Sequence, residues 1–115
     1  MTTSGAPSDT PSSGTITVHV DFISWVNQFV GGGGTGTTEF HEQVRPGDTV
    51  RTVLRQVSDR FPKLRESLWD PEDRTQIGTH IEIIVNDAIL GVTHELDSSV
   101  QDGDRITLAG QYIGG

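Results

Sequence analysis

The residues best suited to chemistry in this chain are its last two, Gly114 and Gly115. Glycine has no Cβ, so a peptide ending in two of them is thin and extendable. Its carboxylate can enter a narrow channel in another protein and meet a nucleophile without obstruction. Just upstream, Tyr112 and Ile113 suit apolar pockets in such a partner, and extended backbone there can pair with a strand edge. Gly115 is therefore the candidate reactive position, with Gly114, Ile113 and Tyr112 as access and docking residues.

Other chemistries find less support. The glycine-rich stretch 31–36 lacks the Gly-Lys-Ser/Thr that completes a phosphate-binding loop, and reads as a flexible connection. His19, His41, His80 and His94 have no partner histidine at helical i, i+4 spacing, so they read as surface residues and no metal site is expected. No serine has the glycine flanks of a nucleophile elbow. With no cysteine in the chain, disulfides, iron-sulfur clusters, thiolate zinc sites and thioesters on its own side chains are excluded. Any thiol chemistry must come from another protein. Lys63 is the sole lysine, which would limit self-attachment if the tail formed isopeptide bonds.

The elements that must hold such a tail fit one domain, since 115 residues at 32% hydrophobic content sustain a single modest core. A net charge of -8, from 16 acidic against 8 basic residues, opposes contact with a phosphate backbone and favours a basic protein partner. No stretch approaches the roughly 20 apolar residues of a membrane span, and the first residues lack the pattern of a secretory leader. No nucleic acid, no membrane and a cytoplasmic location are expected.

Residues 1–14 hold eleven Thr, Ser, Pro and Gly and read as a disordered tail. In the segment after them Ile16, Val18, Val20 and Phe22 alternate with polar residues as in a half-buried strand. Trp25, Val26, Phe29 and Val30 suit a short helical turn against the core, ended by the glycines. Residues 37–44 make a weaker strand, joined to the first as a hairpin. After the turn at Arg45-Pro46-Gly47-Asp48, Asp48 or Thr49 can cap a helix. Its apolar face is Val50, Val53, Leu54, Val57 and Phe61, and Pro62 should end it. Leu64, Leu68 and Trp69 suggest a second short turn, and residues 70–79 have no clear place. Ile81, Ile83 and Val85 read as a central strand before a turn at Asn86-Asp87. Arg105-Ile106-Thr107-Leu108 is the last strand, reached through turns at 97–99 and 101–104. The expected domain, 15–109, is α+β: a mixed sheet with one main covering helix, followed by a flexible tail at 110–115.

This order resembles the β-grasp sulfur carriers related to ubiquitin, such as the molybdopterin synthase small subunit and the thiamine-pathway carrier. The likeness rests on Pro46-Gly47-Asp48-Thr49-Val50 leading to Arg60-Phe61-Pro62, on Ile83-Ile84-Val85-Asn86, and on Asp102-Gly103-Asp104-Arg105-Ile106 before the terminal glycines. The chain departs from the molybdopterin pattern at Leu108-Ala109-Gly110-Gln111-Tyr112-Ile113, where a Pro-Pro-Val lead is common. The resemblance implies a carrier and not an enzyme, binding no cofactor of its own. An activating enzyme of the ubiquitin-activating type would use ATP and Mg²⁺ to adenylate Gly115. A sulfur donor would then convert it to a thiocarboxylate for molybdopterin-like cofactor or tRNA thiolation chemistry, with a large synthase subunit as a possible further partner. In a protein modifier, target-protein lysines would capture the same activated glycine. A passive ubiquitin-like interaction domain with an inert tail is the remaining alternative.

Overall fold

A computed structural model describes residues 14–33 and 36–110. The expected disordered tail at 1–14 lies outside these residues except for Gly14, and the terminal segment 111–115 lies outside them entirely.

Strand β1, Ile16–Ile23, turns Val18, Val20 and Phe22 inward to full burial, as its alternation predicts. A 3-10 helix, Ser24–Val30, follows and buries Val26, Asn27 and Val30. It ends because Gly31 adopts φ +97°, a left-handed geometry that lets its N–H reach the Asn27 carbonyl. Asn27 also donates from its side chain to the Gly36 carbonyl at 3.3 Å, so a buried amide fastens the glycine-rich connection. Strand β2, Thr37–Val44, then returns antiparallel to β1 from Ile16↔Val44 to Ile23↔Thr37.

Helix α1, Val50–Ser58, is capped by Thr49, whose hydroxyl accepts from the Thr52 N–H at 3.2 Å while the Thr52 hydroxyl accepts from the Thr49 N–H at 3.4 Å. Val50, Val53, Leu54 and Val57 are buried beneath it. The helix does not continue to Phe61 as the apolar spacing suggests. Arg60 and Phe61 donate to carbonyls three residues back, and Pro62 forces Phe61 into extended backbone at φ -131°, ψ 95°. Pro62 instead begins helix α2, Pro62–Leu68, where a missing N–H costs nothing.

Residues 70–79 are ordered by backbone contacts to this corner. Trp69 bridges Ile77, the Asp70 N–H reaches the Gln76 carbonyl, and the Gly78 N–H reaches the Leu68 carbonyl. Arg55 donates to the Arg74 carbonyl at 2.5 Å, Arg51 to the Thr75 carbonyl, and Arg74 back to the Arg65 carbonyl at 3.2 Å. The polar composition that gave this stretch no periodicity is what such a hydrogen-bonded loop requires.

Strand β3, Ile81–Val85, turns at Asn86 into the two-residue strand β4, Ala88–Ile89, and β5, Arg105–Gly110, closes the chain of elements. The sheet order is β2-β1-β5-β3-β4, with β1 and β5 parallel and the other neighbours antiparallel. The sheet's middle strand is thus β5, and Ile81–Val85 beside it is an interior strand as expected, bonded to β5 on one side and β4 on the other. Its pairing begins where the Asn86 side chain accepts from the Arg105 N–H at 3.0 Å. No helix among the described residues is long and apolar enough to cross a membrane.

Candidate functional site

The terminal segment leaves from the best-held strand of the sheet. β5 is bonded on one side to β1, up to Ile23↔Ala109, and on the other to β3, up to Ile81↔Gly110. Ile106 and Leu108 on it are fully buried. Its last residue, Gly110, lies under the indole of Trp25. A Cβ there would come within 2.4 Å of Trp25 Cε2, so only glycine fits beneath that ring. Trp25 is carried by the 3-10 helix and braced edge-to-face by Phe29 at 5.8 Å. Tyr112, Ile113, Gly114 and Gly115 lie outside the described residues, so their contacts are not part of this geometry.

Trp25 also lines a cleft of about 450 Å³ with Ser67, Trp69, Pro71, Gly78 and His80. The cleft therefore opens beside the end of β5. Glu66, Asp70 and Thr79 line it as well, so two indole rings share the cleft with two carboxylates. Sequence reading placed Trp25 in the core turn and Gly110 in the tail; their pairing carries no periodic signal, because it joins a 3-10 turn to the far end of the chain. A second cleft of about 340 Å³ is lined by Arg51, Ile77, Leu90, Glu95, Leu96 and Asp97 among others and includes no residue of β5.

Arg51, Arg55, Arg60, Arg74 and Arg105 make contacts within the domain. Arg60 holds the buried Glu42 with two hydrogen bonds of 2.9 and 2.7 Å. Those bonds keep the Glu42 carboxyl below the ordinary glutamate value against the opposing effect of burial, with Gln56 adding a further bond. Arg55 stacks over Trp69 at 4.1 Å. Arg51 pairs with Asp97 at 2.9 Å, and Arg105 pairs with Asp21 at 2.5 Å and reaches Glu39 at 3.5 Å. Arg51, Arg55 and Arg105 thus all take part in contacts within the fold.

The histidines divide. His19 and His41 stand opposite each other across β1 and β2, with ring centroids 4.7 Å apart, and both approach Glu39. His80 lies in the cleft beside Trp25, and His94 meets only the neighbouring Thr93 hydroxyl among the described side-chain bonds. Desolvation raises the Glu39 carboxyl, yet hydrogen bonds with His41 and His19 and the charge of Arg105 outweigh it, leaving it below the ordinary value.

The five-stranded mixed sheet and the helix laid across it give the ubiquitin-like β-grasp fold. Within that class its resemblance is to small sulfur carriers and modifiers. The sulfur carrier protein CysO of Mycobacterium tuberculosis is 28% identical over 69 residues, covering 60% of this chain and 74% of the relative. Among solved structures, the Haloferax volcanii HVO 2177 protein has a TM-score of 0.72 at 19% identity, covering 94% of each chain. Small archaeal modifier protein 1 of Methanosarcina acetivorans has a TM-score of 0.66 at 20% identity, covering 88% of this chain and 98% of its own. A structure of the Amycolatopsis orientalis BexX/CysO complex contains a chain with a TM-score of 0.60 at 24% identity, covering 85% of this chain and 99% of that one. No protein-family profile matches the sequence.

Proposed function

We propose that this protein is a sulfur carrier whose Gly115 carboxylate is activated by a partner enzyme and converted to a thiocarboxylate. The observation that carries the reading is the junction of a rigid middle strand with a short glycine-ended segment. Gly110 is fixed in the sheet under Trp25, and five residues separate it from the end at Gly115. At roughly 3.3–3.6 Å per extended residue those five span about 17 Å, enough to enter a nucleotide site while the folded domain stays outside. The similarity to a named sulfur carrier supports the same chemistry.

In the proposed reaction a Gly115 carboxylate oxygen attacks the α-phosphorus of ATP and pyrophosphate leaves. Hydrosulfide, or an equivalent from a sulfur donor, then adds to the carbonyl carbon. The C–O bond to AMP breaks, a proton is released, and the thiocarboxylate remains. ATP, Mg²⁺ and stabilisation of the developing charge belong to the activating enzyme. This chain contributes access through Gly114 and Gly115, docking through Tyr112 and Ile113, and an aromatic cleft at the tail's base that the partner can cover. The BexX/CysO complex supports capture of such a carrier by a partner protein.

A second reading, conjugation of Gly115 to target lysines, is favoured by the structural likeness to small archaeal modifier protein 1. One experiment separates the two: mass spectrometry of N-terminally tagged protein recovered from its host. Sulfur in place of a terminal carboxylate oxygen is the expected result. Glycine remnants on lysines of other proteins would establish conjugation instead. A free carboxylate in every molecule, even after ATP and host extract are added, would overturn both and leave a passive interaction domain.

A further inference from the structure

The outer side of the β1–β2 hairpin gathers two imidazoles and a carboxylate onto a rigid ladder. His19 on β1 lies directly across from His41 on β2, and Glu39 lies two residues before His41 on the same side, opposite Asp21. His19 Nδ1 is 3.2 Å and His41 Nε2 is 3.3 Å from the same Glu39 oxygen, Oε2. All three potential donor atoms lie within 4.8 Å of one another. Zinc binds imidazole nitrogen and carboxylate oxygen at about 2.0–2.2 Å, so neighbouring ligands on a tetrahedron stand roughly 3.3–3.5 Å apart. Two of the three spacings already approach that edge.

The surroundings suit a cation. Counting His19 and His41 as neutral, Asp21 and Glu39 are balanced by only one charge, that of Arg105, and its Nη1 lies closer to Asp21, at 2.5 Å, than to Glu39, at 3.5 Å. Side-chain exposures of 30% for His19, 40% for Glu39 and 59% for His41 leave the group open on the solvent side. That opening is where a water or an outside ligand would complete the coordination. Magnesium and calcium prefer all-oxygen ligand sets, whereas two imidazoles and one carboxylate suit a borderline first-row divalent ion.

We propose that His19, Glu39 and His41 form a zinc-binding site on the outer sheet face, separate from the tail chemistry and independent of it. The hairpin supplies three ligands, and the fourth position remains exchangeable. Burial of Val18 and Val20 beneath the hairpin and eight paired residues along it hold the two imidazoles in register, so zinc need not assemble the site from a mobile loop.

The test uses the full chain freed of any histidine tag. Zinc chloride is titrated calorimetrically, with magnesium chloride as control, and histidine ring resonances are followed by NMR. One equivalent of zinc should bind and shift the rings of His19 and His41 while those of His80 and His94 stay in place. His41→Ala and Glu39→Gln should each weaken binding at least tenfold, and His94→Ala should leave it unchanged. The ring assignment is made on unmodified protein, so it stands even if a variant folds poorly. Absence of saturable zinc uptake, shifts centred on His80 or His94, or unchanged affinity in folded His41→Ala would each overturn the site.

Discussion

The two tryptophans of this chain line one cleft and differ in burial and in their contacts. Trp69 is fully buried. Its Nε1 donates to the Ser58 hydroxyl at 3.1 Å, the Arg55 guanidinium covers its face, and its backbone bridges Ile77. Trp25 is only partly buried, rests on a glycine and is braced by Phe29. The Trp69 ring, held by a hydrogen bond, a cation and a sheet bridge, serves the fold, while the Trp25 ring, lying over Gly110 at the end of β5, stands where the terminal residues begin. The cleft therefore joins a structural wall to a functional one, and substitutions on its two sides should separate stability from charging.

The largest effect should come from the terminal residue of the chain. Deleting Gly115 should abolish ATP-dependent charging by the partner enzyme, read as loss of the sulfur-bearing terminal mass, and leave the thermal melt unchanged. A melt lowered by this deletion would mean that the segment packs on the domain. Next in size, Trp69→Ala should remove about 3–5 kcal/mol of stability, because it empties a buried volume and removes the indole donor to the Ser58 hydroxyl and the ring beneath Arg55. Urea denaturation monitored by far-UV circular dichroism would measure it. Trp25→Ala should cost clearly less stability in the same titration while slowing charging. Equal destabilisation by the two would erase the distinction between the walls.

Gly110→Ala tests the contact between the functional wall and the strand. The added methyl would stand within 2.4 to 2.7 Å of three indole atoms, so the ring or strand must shift at a cost of about 1–3 kcal/mol. Pairing the change with Trp25→Ala should recover most of that loss, since the methyl then has room. Non-additivity in the double mutant is the measurement, and strictly additive losses would show that the glycine is needed for another reason.

Much of the structural wall can be read from the sequence, and little of the functional one. Val18, Val20 and Phe22 on β1, and Val50, Val53, Leu54 and Val57 on α1, announce themselves because one buried face imposes a fixed period on apolar residues. Apolar spacing alone overshoots the end of α1, because Phe61 fits that period while Pro62 decides the backbone. Contacts between distant polar groups leave no period. Arginine bonds to the 74 and 75 carbonyls give the polar stretch its order, Trp25 meets Gly110 across most of the chain, and His19 meets His41 only once the hairpin register of Ile16↔Val44 is known. Gly115 is a candidate on covalent chemistry alone, since a terminal glycine carboxylate is legible in the sequence without any fold.

The smallest expected effect concerns acid stability, and it tests whether the structural half of the molecule extends along α1 to its end. Glu42 is buried on β2 and bonded twice by Arg60 and once by Gln56. Arg60's hydrogen bonds are the main reason its carboxyl lies below the ordinary glutamate value in the folded protein. In the unfolded chain the ordinary value returns, so the unfolded state takes up a proton first as pH falls. The stabilisation is fully present above about 4.5 and declines as pH drops from there through the lower folded value. Glu42→Gln should lower the melting temperature at neutral pH and flatten its decline below pH 4.5 relative to wild type. Arg60→Ala should lower stability at neutral pH by about 1–3 kcal/mol, leaving a buried carboxylate short of donors. If both variants keep the wild-type acid profile, the pair is ornamental, and the first turns of α1 with the Trp69 corner carry the structural load alone.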